Sequence, residues 1–368
     1  MFYLAGIFIA VFSSFLILGK KRKGTADYIL AVWFLIIGVH LTLFFLNFTG
    51  SYFRNPDFLG LEIPLPLIHG PLLYAYILSL TGQNSKKYKL LLHFVPIIIV
   101  YFMLWDFFIL PPEKRIFIYQ NGGGKYISFR QNINALVIVS GVLYVSLSLL
   151  SLRKYKKEIS GQYSNTEKIN LNWVYYLIAG IAIIWFCIVF TGDIITFISV
   201  VLFVVFAAYF GITKAGILNL TEIKNDNTTE EDNITVSPVS VKYQKSLLND
   251  ETIRSIYTDL VEKMETEKIF KDPDLNLDNV ASLLGIHPNA LSQTINTIEN
   301  KNFYDYINRQ RIEEFKRLSV LPENQKFTIL SLAFESGFNS KTSFNRNFKK
   351  YMNCSPREFL KNQNSDLK

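Results

Sequence analysis

Hydrophobic and polar positions follow two different patterns in this chain. Up to residue 213 the apolar residues come in long blocks, and beyond it they come in stripes. A helix that crosses a bilayer needs about 20 mostly apolar residues, because the hydrocarbon core is about 30 Å thick and a helix rises about 1.5 Å per residue. Seven blocks meet that pattern: Phe2–Leu18, Tyr28–Phe48, Ile63–Leu80, Leu90–Leu110, Ile133–Leu152, Leu171–Phe190 and Ile194–Ile212. Thr191, Gly192 and Asp193 separate the last two, which together are too long for one crossing. Residues 214–245, with the run Asn225 to Asn233, are polar and aperiodic and read as a flexible linker.

From Asp250 the spacing becomes that of amphipathic helices. Ile253, Ile256, Tyr257, Leu260, Val261 and Met264 make one stripe, the lead-in helix of a segment 246–276. Val280, Leu283 and Leu284 make the next, followed by Gly285 and by a helix over Asn289 to Asn296 with Leu291 and Ile295 inward. Helix, glycine turn and helix is the helix-turn-helix layout. It recurs: Ile329, Leu332 and Ala333, then Ser336-Gly337-Phe338, then Ser340 to Lys350 with Phe344 and Phe348 inward. A long helix over Phe303 to Leu318 joins the two units, with Tyr306, Ile307, Ile312 and Phe315 available for packing. The expected fold is all-α, a seven-helix transmembrane bundle over 1–213 and a cytoplasmic domain with two helix-turn-helix units over 277–363.

Composition sharpens the division. Half of the 368 residues are hydrophobic and only 18% are charged, below the roughly 25% of ordinary globular chains, and the mean hydropathy is +0.22. The net charge of +8 fits nucleic acid or an anionic membrane surface and alone does not choose. Its distribution does choose. Residues 301–361 hold 12 Lys and Arg against 6 Asp and Glu, whereas residues 242–300 hold 6 against 10. Positive charge gathers on the second unit, as phosphate binding requires.

The basic clusters also set the topology. Lys20 to Lys23 follow the first block, so that block is not a cleavable signal, whose charges would precede it. With Lys86, Lys87 and Lys89 after the third block and Arg153, Lys154, Lys156, Lys157 and Lys168 after the fifth, the positive-inside rule puts the N-terminus and residue 55 outside and residue 160 and the tail in the cytoplasm. The loop carrying Lys114, Arg115, Lys125 and Arg130 is the exception. The expected location is the bacterial inner membrane. The glycosylation patterns at Asn227 and Asn233 would then never meet their machinery.

Polar groups inside apolar blocks are costly and informative. His40, His69, His93 and Asp106 either line a ligand pocket between helices or bridge helices by hydrogen bonds. Ile68-His69-Gly70-Pro71 points to an irregular turn or to the start of a helix. Cys187 and Cys354 lie in different halves, with no metal spacing and no expected disulfide. There is no Walker loop, no nucleophile elbow and no kinase signature, so neither an enzyme nor a cofactor is expected.

The tail resembles the DNA-binding domain of the AraC/XylS family of bacterial regulators over residues 277–360. Ala333-Phe334-Glu335-Ser336-Gly337-Phe338, Ser343-Phe344, Arg346, Phe348-Lys349-Lys350 and Ser355-Pro356 carry the resemblance in the second unit. Leu291-Ser292-Gln293, Asn296, Asn302-Phe303, Ile307-Asn308 and Arg311-Ile312 carry it in the first. Asn300 stands where the family commonly has glycine. Ile68 to Tyr74 and His93-Phe94-Val95-Pro96 are similar to a subgroup in which seven membrane helices precede such a domain.

The resemblance implies that Asn289, Ser292 and Gln293 face DNA bases. On the second recognition helix Lys341, Thr342, Asn345 and Arg346 point away from Phe344 and Phe348 and are the expected readers. Gln and Asn suit adenine, and Arg suits guanine. Arg309, Arg311, Lys349 and Lys350 are expected on phosphates. The connecting helix can hold the two heads about 27 Å apart, near the roughly 34 Å between successive major-groove faces. The expected partners are double-stranded promoter DNA, the lipid bilayer, RNA polymerase, a small-molecule or envelope signal and a second copy of the chain as a homodimer. A receptor-like or transporter-like membrane protein whose tail recruits partners is the competing expectation.

Overall fold

A computed structural model describes residues 2–21, 23–83, 87–167, 169, 171–213 and 249–366, and the expected linker over 214–245 lies outside them. Every named element is helical; among the described residues the only β-pairing is an isolated bridge between Tyr163 and Asn276. The chain divides into two units, Met1–Lys154 with Leu171–Asp232, and Tyr155–Asn170 with Asn233–Lys368.

The first unit holds α1 (Phe2–Leu18), α2 (Thr25–Phe48), α3 (Pro66–Leu80), α4 (Lys87–Leu92), α5 (Val95–Met103), α6 (Trp105–Phe108) and α7 (Pro112–Gln120). It also holds most of α8 (Ile127–Gln162), then α9 (Asn172–Phe190) and α10 (Asp193–Thr213). Among the described residues, four helices are long and apolar enough to cross a membrane: α2, α8 with the turn before it, α9 and α10. The helices over Leu4–Leu18, Pro66–Leu80 and Leu90–Met103 are apolar but shorter. The expected single span over Leu90–Leu110 is broken at His93-Phe94 and again at Leu104. Pro96, which has no N–H to donate, sits in the first turn of α5 and cannot continue α4. Pro71, by contrast, lies inside α3 and makes no break there. Gly70 is needed for a close approach: a Cβ on it would stand 2.6 Å from the Tyr144 ring.

These helices are apolar all round, and their outward sides stay exposed in the chain itself. Phe8, Phe12 and Phe15 form such a face on α1, with Phe8 65% exposed, and Phe102 on α5 is 78% exposed. In the second unit the exposed large apolar residues, among those described, are Leu283, Ile298, Val320, Phe327 and Phe334. Several charges in the first unit are paired. Asp27, 1% exposed, takes Lys20 at 2.7 Å, and Arg115 reaches Asp57 at 2.6 Å. Lys125 meets Asp106 at 2.9 Å, so two cations of the exceptional basic loop stand beside carboxylates.

The second unit holds α11 (Asp250–Thr266), α12 (Leu277–Leu283), α13 (Pro288–Glu299), α14 (Phe303–Ser319), α15 (Ile329–Glu335), α16 (Lys341–Met352) and α17 (Pro356–Asp366). A side chain caps the start of each, satisfying backbone donors that a helix leaves open. Asn249, Asn276, Asn302, Thr328 and Ser340 accept from N–H groups three residues on. His287 accepts from the Asn289 N–H, two residues on, for α13, and Ser355 and Glu358 form a reciprocal pair for α17. Two cores result. The first joins Ile256, Leu260, Val280, Leu291, Ile295 and Phe303, and the second joins Phe315, Leu332, Phe338, Phe344 and Phe348. Helix α14 gives Tyr306 and Ile307 to one core and Ile312, Phe315 and Leu318 to the other. The lead-in helix α11, a separate segment in the sequence reading, is a wall of the first core. Cys187 and Cys354 are free thiols.

Candidate functional site

The first head is α12, a turn at Gly285 (φ +65°), and α13. Leu291 and Ile295 are wholly buried, which rolls the opposite side of α13 to solvent. Asn289 and Asn296 are exposed, and Ser292 and Gln293 half-buried. The Asn296 amide turns back onto the Ser292 carbonyl at 2.8 Å. The second head repeats this with α15, Gly337 (φ +97°) and α16. With Phe344 and Phe348 buried, Lys341, Thr342, Asn345 and Arg346 are all exposed. Both sets of expected readers therefore stand on the outer sides of their helices.

A residue that the sequence reading missed orders the second set. Tyr304, on α14 and 9% exposed, accepts from Arg346 Nη2 at 2.8 Å and from Asn347 Nδ2 at 2.7 Å. The guanidinium of Arg346 also lies 5.9 Å from the centre of the Tyr304 ring. Among the expected phosphate cations, Lys349 and Lys350 are exposed, and Lys350 pairs with Asp305 at 2.6 Å. Arg309 is exposed and pairs with Glu299 at 3.1 Å, a carboxylate that also accepts from Tyr257 at 2.5 Å. Pairing of this exposed kind leaves the cations able to exchange partners.

Residues 280–362 match the model of a family described as a helix-turn-helix domain. The tail carries an AraC-type helix-turn-helix domain. The chain is also 31% identical over 86 residues to an uncharacterized HTH-type transcriptional regulator in the cgkA 5′ region of Pseudoalteromonas carrageenovora. That match spans 23% of this chain and about half, 49%, of the relative. No solved structure matches the chain.

Within the AraC-type unit one expected phosphate contact is corrected. Arg311 is 2% exposed and cannot reach DNA. Its Nε donates to the Phe270 carbonyl at 2.7 Å, and its Nη2 to the Asp272 carbonyl at 2.7 Å and to Ser164 Oγ at 3.0 Å. Burial pulls its guanidinium down to about 10. The signal for this was in the spacing, because Arg311 lies four residues from both Ile307 and Phe315 and so shares their buried face.

Ser164 belongs to the stretch 155–170, which follows the last apolar turns of α8 in sequence and packs with the second unit. Its N–H and Oγ both donate to the Leu275 carbonyl, at 3.2 and 2.5 Å, and its own carbonyl accepts from Asn308 Nδ2 at 2.9 Å. Ser164 and Asn308 are both 0% exposed. One turn beyond Arg311, Glu314 gathers Arg317 at 2.8 Å, Lys268 at 3.0 Å and Lys271 at 3.3 Å. The hydrogen bonds from Arg317, ahead of those from the lysines, hold its carboxyl at about 2 in spite of burial.

The first unit has its own cavity, of about 480 Å³. His40 and His69 line it with Trp33, Glu62, Arg130 and Trp185. Trp33 Nε1 donates to His69 Nδ1 at 3.1 Å, and His69 Nε2 meets His40 Nδ1 at 2.9 Å. The two alternatives of the sequence reading thus coincide, since these imidazoles bridge α2 and α3 and also face a cavity. His93 and Asp106 do not line it. His93 bonds to Tyr144 at 2.9 Å, and Asp106 is spent on Lys125 and Tyr126 in an exposed loop. Arg130 entered the sequence reading only as a loop charge; nothing in sequence spacing alone brings it or Glu62 to the same cavity as His40.

Proposed function

We propose that the chain is a membrane-embedded, one-component regulator of transcription. Its AraC-type domain reads promoter DNA, and the helices of the first unit receive the signal. The observation that carries this reading is the pair of recognition helices fixed on one shared helix, each with its apolar side in a core and its amides, hydroxyls and cations facing out. Asn289, Ser292 and Gln293 read one half-site, and Lys341, Thr342, Asn345 and Arg346 the next. Lys349, Lys350 and Arg309 hold phosphates. The domain's match to helix-turn-helix proteins, one of them named a transcriptional regulator, agrees with this.

The apolar, outwardly exposed helices of the first unit suit a bilayer, with the tail on the cytoplasmic side where DNA is. The stretch 155–170 offers a route for the signal, because it continues α8 and ends at Ser164 among the groups that Arg311 and Asn308 hold. Genome-wide DNA capture by the tagged full-length protein tests the reading. Enrichment at discrete promoters, lost in a Gln293→Ala, Arg346→Ala double variant, is the expected result. Uniform background, or fusion reporters that place residue 366 outside the cell, overturns it.

A further inference from the structure

The hydrogen-bond chain in the cavity fixes which protons its imidazoles carry. An indole N–H can only donate, so the contact from Trp33 makes His69 Nδ1 an acceptor. The proton of His69 then sits on Nε2 and is donated to His40 Nδ1. His40 in turn carries its proton on Nε2, and that N–H has no partner among the described residues. The relay therefore ends in a donor at the wall of the cavity.

The ionic groups of the cavity point the same way. Arg130 has neither an ion pair nor a hydrogen bond among the described residues, although it lines the wall. One of the two carboxylates there is already engaged. Both oxygens of Glu62 accept phenol hydroxyls, from Tyr52 and Tyr119, each at 3.0 Å. Asp193 opens α10, where the helix dipole favours a negative charge. The donors there without a partner among the described residues are the exposed guanidinium of Arg130 and the His40 imidazole N–H, on walls that join apolar residues with Asn47, Asn134, Tyr119 and Thr196. Along α2 the lining runs from Asn47 down to His40, two turns or about 10 Å.

We propose that this cavity binds an amphipathic organic acid: an apolar chain with a carboxylate on Arg130 and a second acceptor oxygen, farther along the chain, on His40 Nε2. A volume of about 480 Å³ lies within the usual range of small-molecule sites. The inference rests on the signal-receiving role of the first unit for its meaning, but binding can be read without DNA.

The test uses the full chain in lipid nanodiscs, with the fluorescence of Trp33 and Trp185 at the cavity wall as the readout. The probes are 9-oxodecanoate, its methyl ester, decanoate and decyltrimethylammonium. The oxo acid is expected to quench saturably and to bind at least tenfold tighter than the ester or the ammonium. Arg130→Gln should abolish the preference for acid over ester. His40→Phe should keep that preference and abolish the preference for the oxo acid over decanoate. Should His40→Phe not fold, Trp33→Phe, which releases the lock on the His69 proton, should narrow the same gap. Equal binding of acid and ester by the unaltered chain, or an acid preference that survives Arg130→Gln, overturns the proposal. Acid binding with unchanged promoter occupancy would instead sink the signalling role and leave the site standing.

Discussion

The two helix-turn-helix heads share one layout and differ in what surrounds it. The first is acidic and open: its recognition helix α13 carries only Glu299 as a charge, and a Cβ on Gly285 would meet nothing within 4 Å. The second is basic and closely backed. Helix α16 carries Lys341, Arg346, Lys349 and Lys350, and a Cβ on Gly337 would stand 2.7 Å from both the Lys271 Cα and the Phe270 carbonyl oxygen. The same turn residue thus serves conformation alone in one head and conformation plus contact in the other. On the proposed reading, the first head discriminates by hydrogen bonding and the second supplies most of the phosphate attraction.

The glycines give the largest contrast. Both occupy the left-handed region that side chains rarely enter. Gly285→Ala should cost about 1 kcal/mol, the conformational penalty alone. Gly337→Ala adds a clash with backbone that cannot rotate away, and about 3 kcal/mol or more is expected. Urea denaturation of a tail spanning residues 242–368 separates them; equal losses would mean that the turn at Phe270–Lys271 does not back the second head.

Arg311 comes next, because it stands where the two cores meet. Arg311→Met keeps the apolar stem and strands the Phe270 carbonyl, while the Asp272 carbonyl keeps only the Leu275 N–H. A loss of about 3 kcal/mol is expected, against about 1 kcal/mol for Ser164→Ala, which removes a single hydroxyl. Hydrogen exchange of the full chain should show both heads losing protection together in Arg311→Met. Loss confined to one head would mean that the arginine serves only that head.

Much of this was legible in the sequence, for a physical reason that also marks where legibility stops. Amphipathic stripes and glycine turns are local signals, and they placed α12 to α16 within a few residues. The apolar half offers only length and hydropathy, so the proline-broken stretch at α4 to α6 read as one span. The extension of α8 to Gln162 was missed because its last turns, Arg153 to Gln162, are polar and fall below any hydropathy threshold. The readers could be named by subtraction, once Leu291, Ile295, Phe344 and Phe348 were seen to face inward. Partners far apart in sequence, such as Ser164 with Arg311 or Tyr304 with Arg346, leave no local trace.

DNA readout is the next sharpening. Gln293→Ala and Arg346→Ala should each cost about 1–3 kcal/mol and relax preference at different positions of the operator. Lys350→Ala should weaken all sequences alike and reduce the salt slope by about one unit. Binding titrations at several salt concentrations would show the difference. If substitutions on α13 changed the salt slope as much as those on α16, the division of labour between the heads would fall.

Acid should weaken the cluster around Glu314. With its folded value at about 2 against 4.5 for an ordinary glutamate, Glu314 contributes stability that is fully present above about pH 4.5 and is lost as pH falls toward 2. Its cation partners are partly exposed, so only about 1 kcal/mol is expected from the cluster. Glu314→Gln should therefore lie below the unaltered protein by that amount at pH 6 and meet it near pH 2. A gap that persists at pH 2 would mean that the side chain acts by packing and not by charge.

The smallest effect concerns the residue after the first recognition helix. Asn300 closes α13 in the left-handed region, φ +52° and ψ +37°, which explains why related domains favour glycine there. Asparagine tolerates that region better than most residues but still has a Cβ to accommodate. Asn300→Gly should gain no more than a few tenths of a kcal/mol, because glycine's greater freedom in the unfolded chain offsets most of the relief. Asn300→Val, branched at Cβ, should lose about 1–2 kcal/mol. In the second head Asn353 caps α16 at φ +55° and ψ +11°, so the paired substitutions should behave alike there. Melting temperatures of the four variants would decide it. A clear gain from glycine in one head and not in the other would show that the two helix ends, alike in backbone, are held by different surroundings.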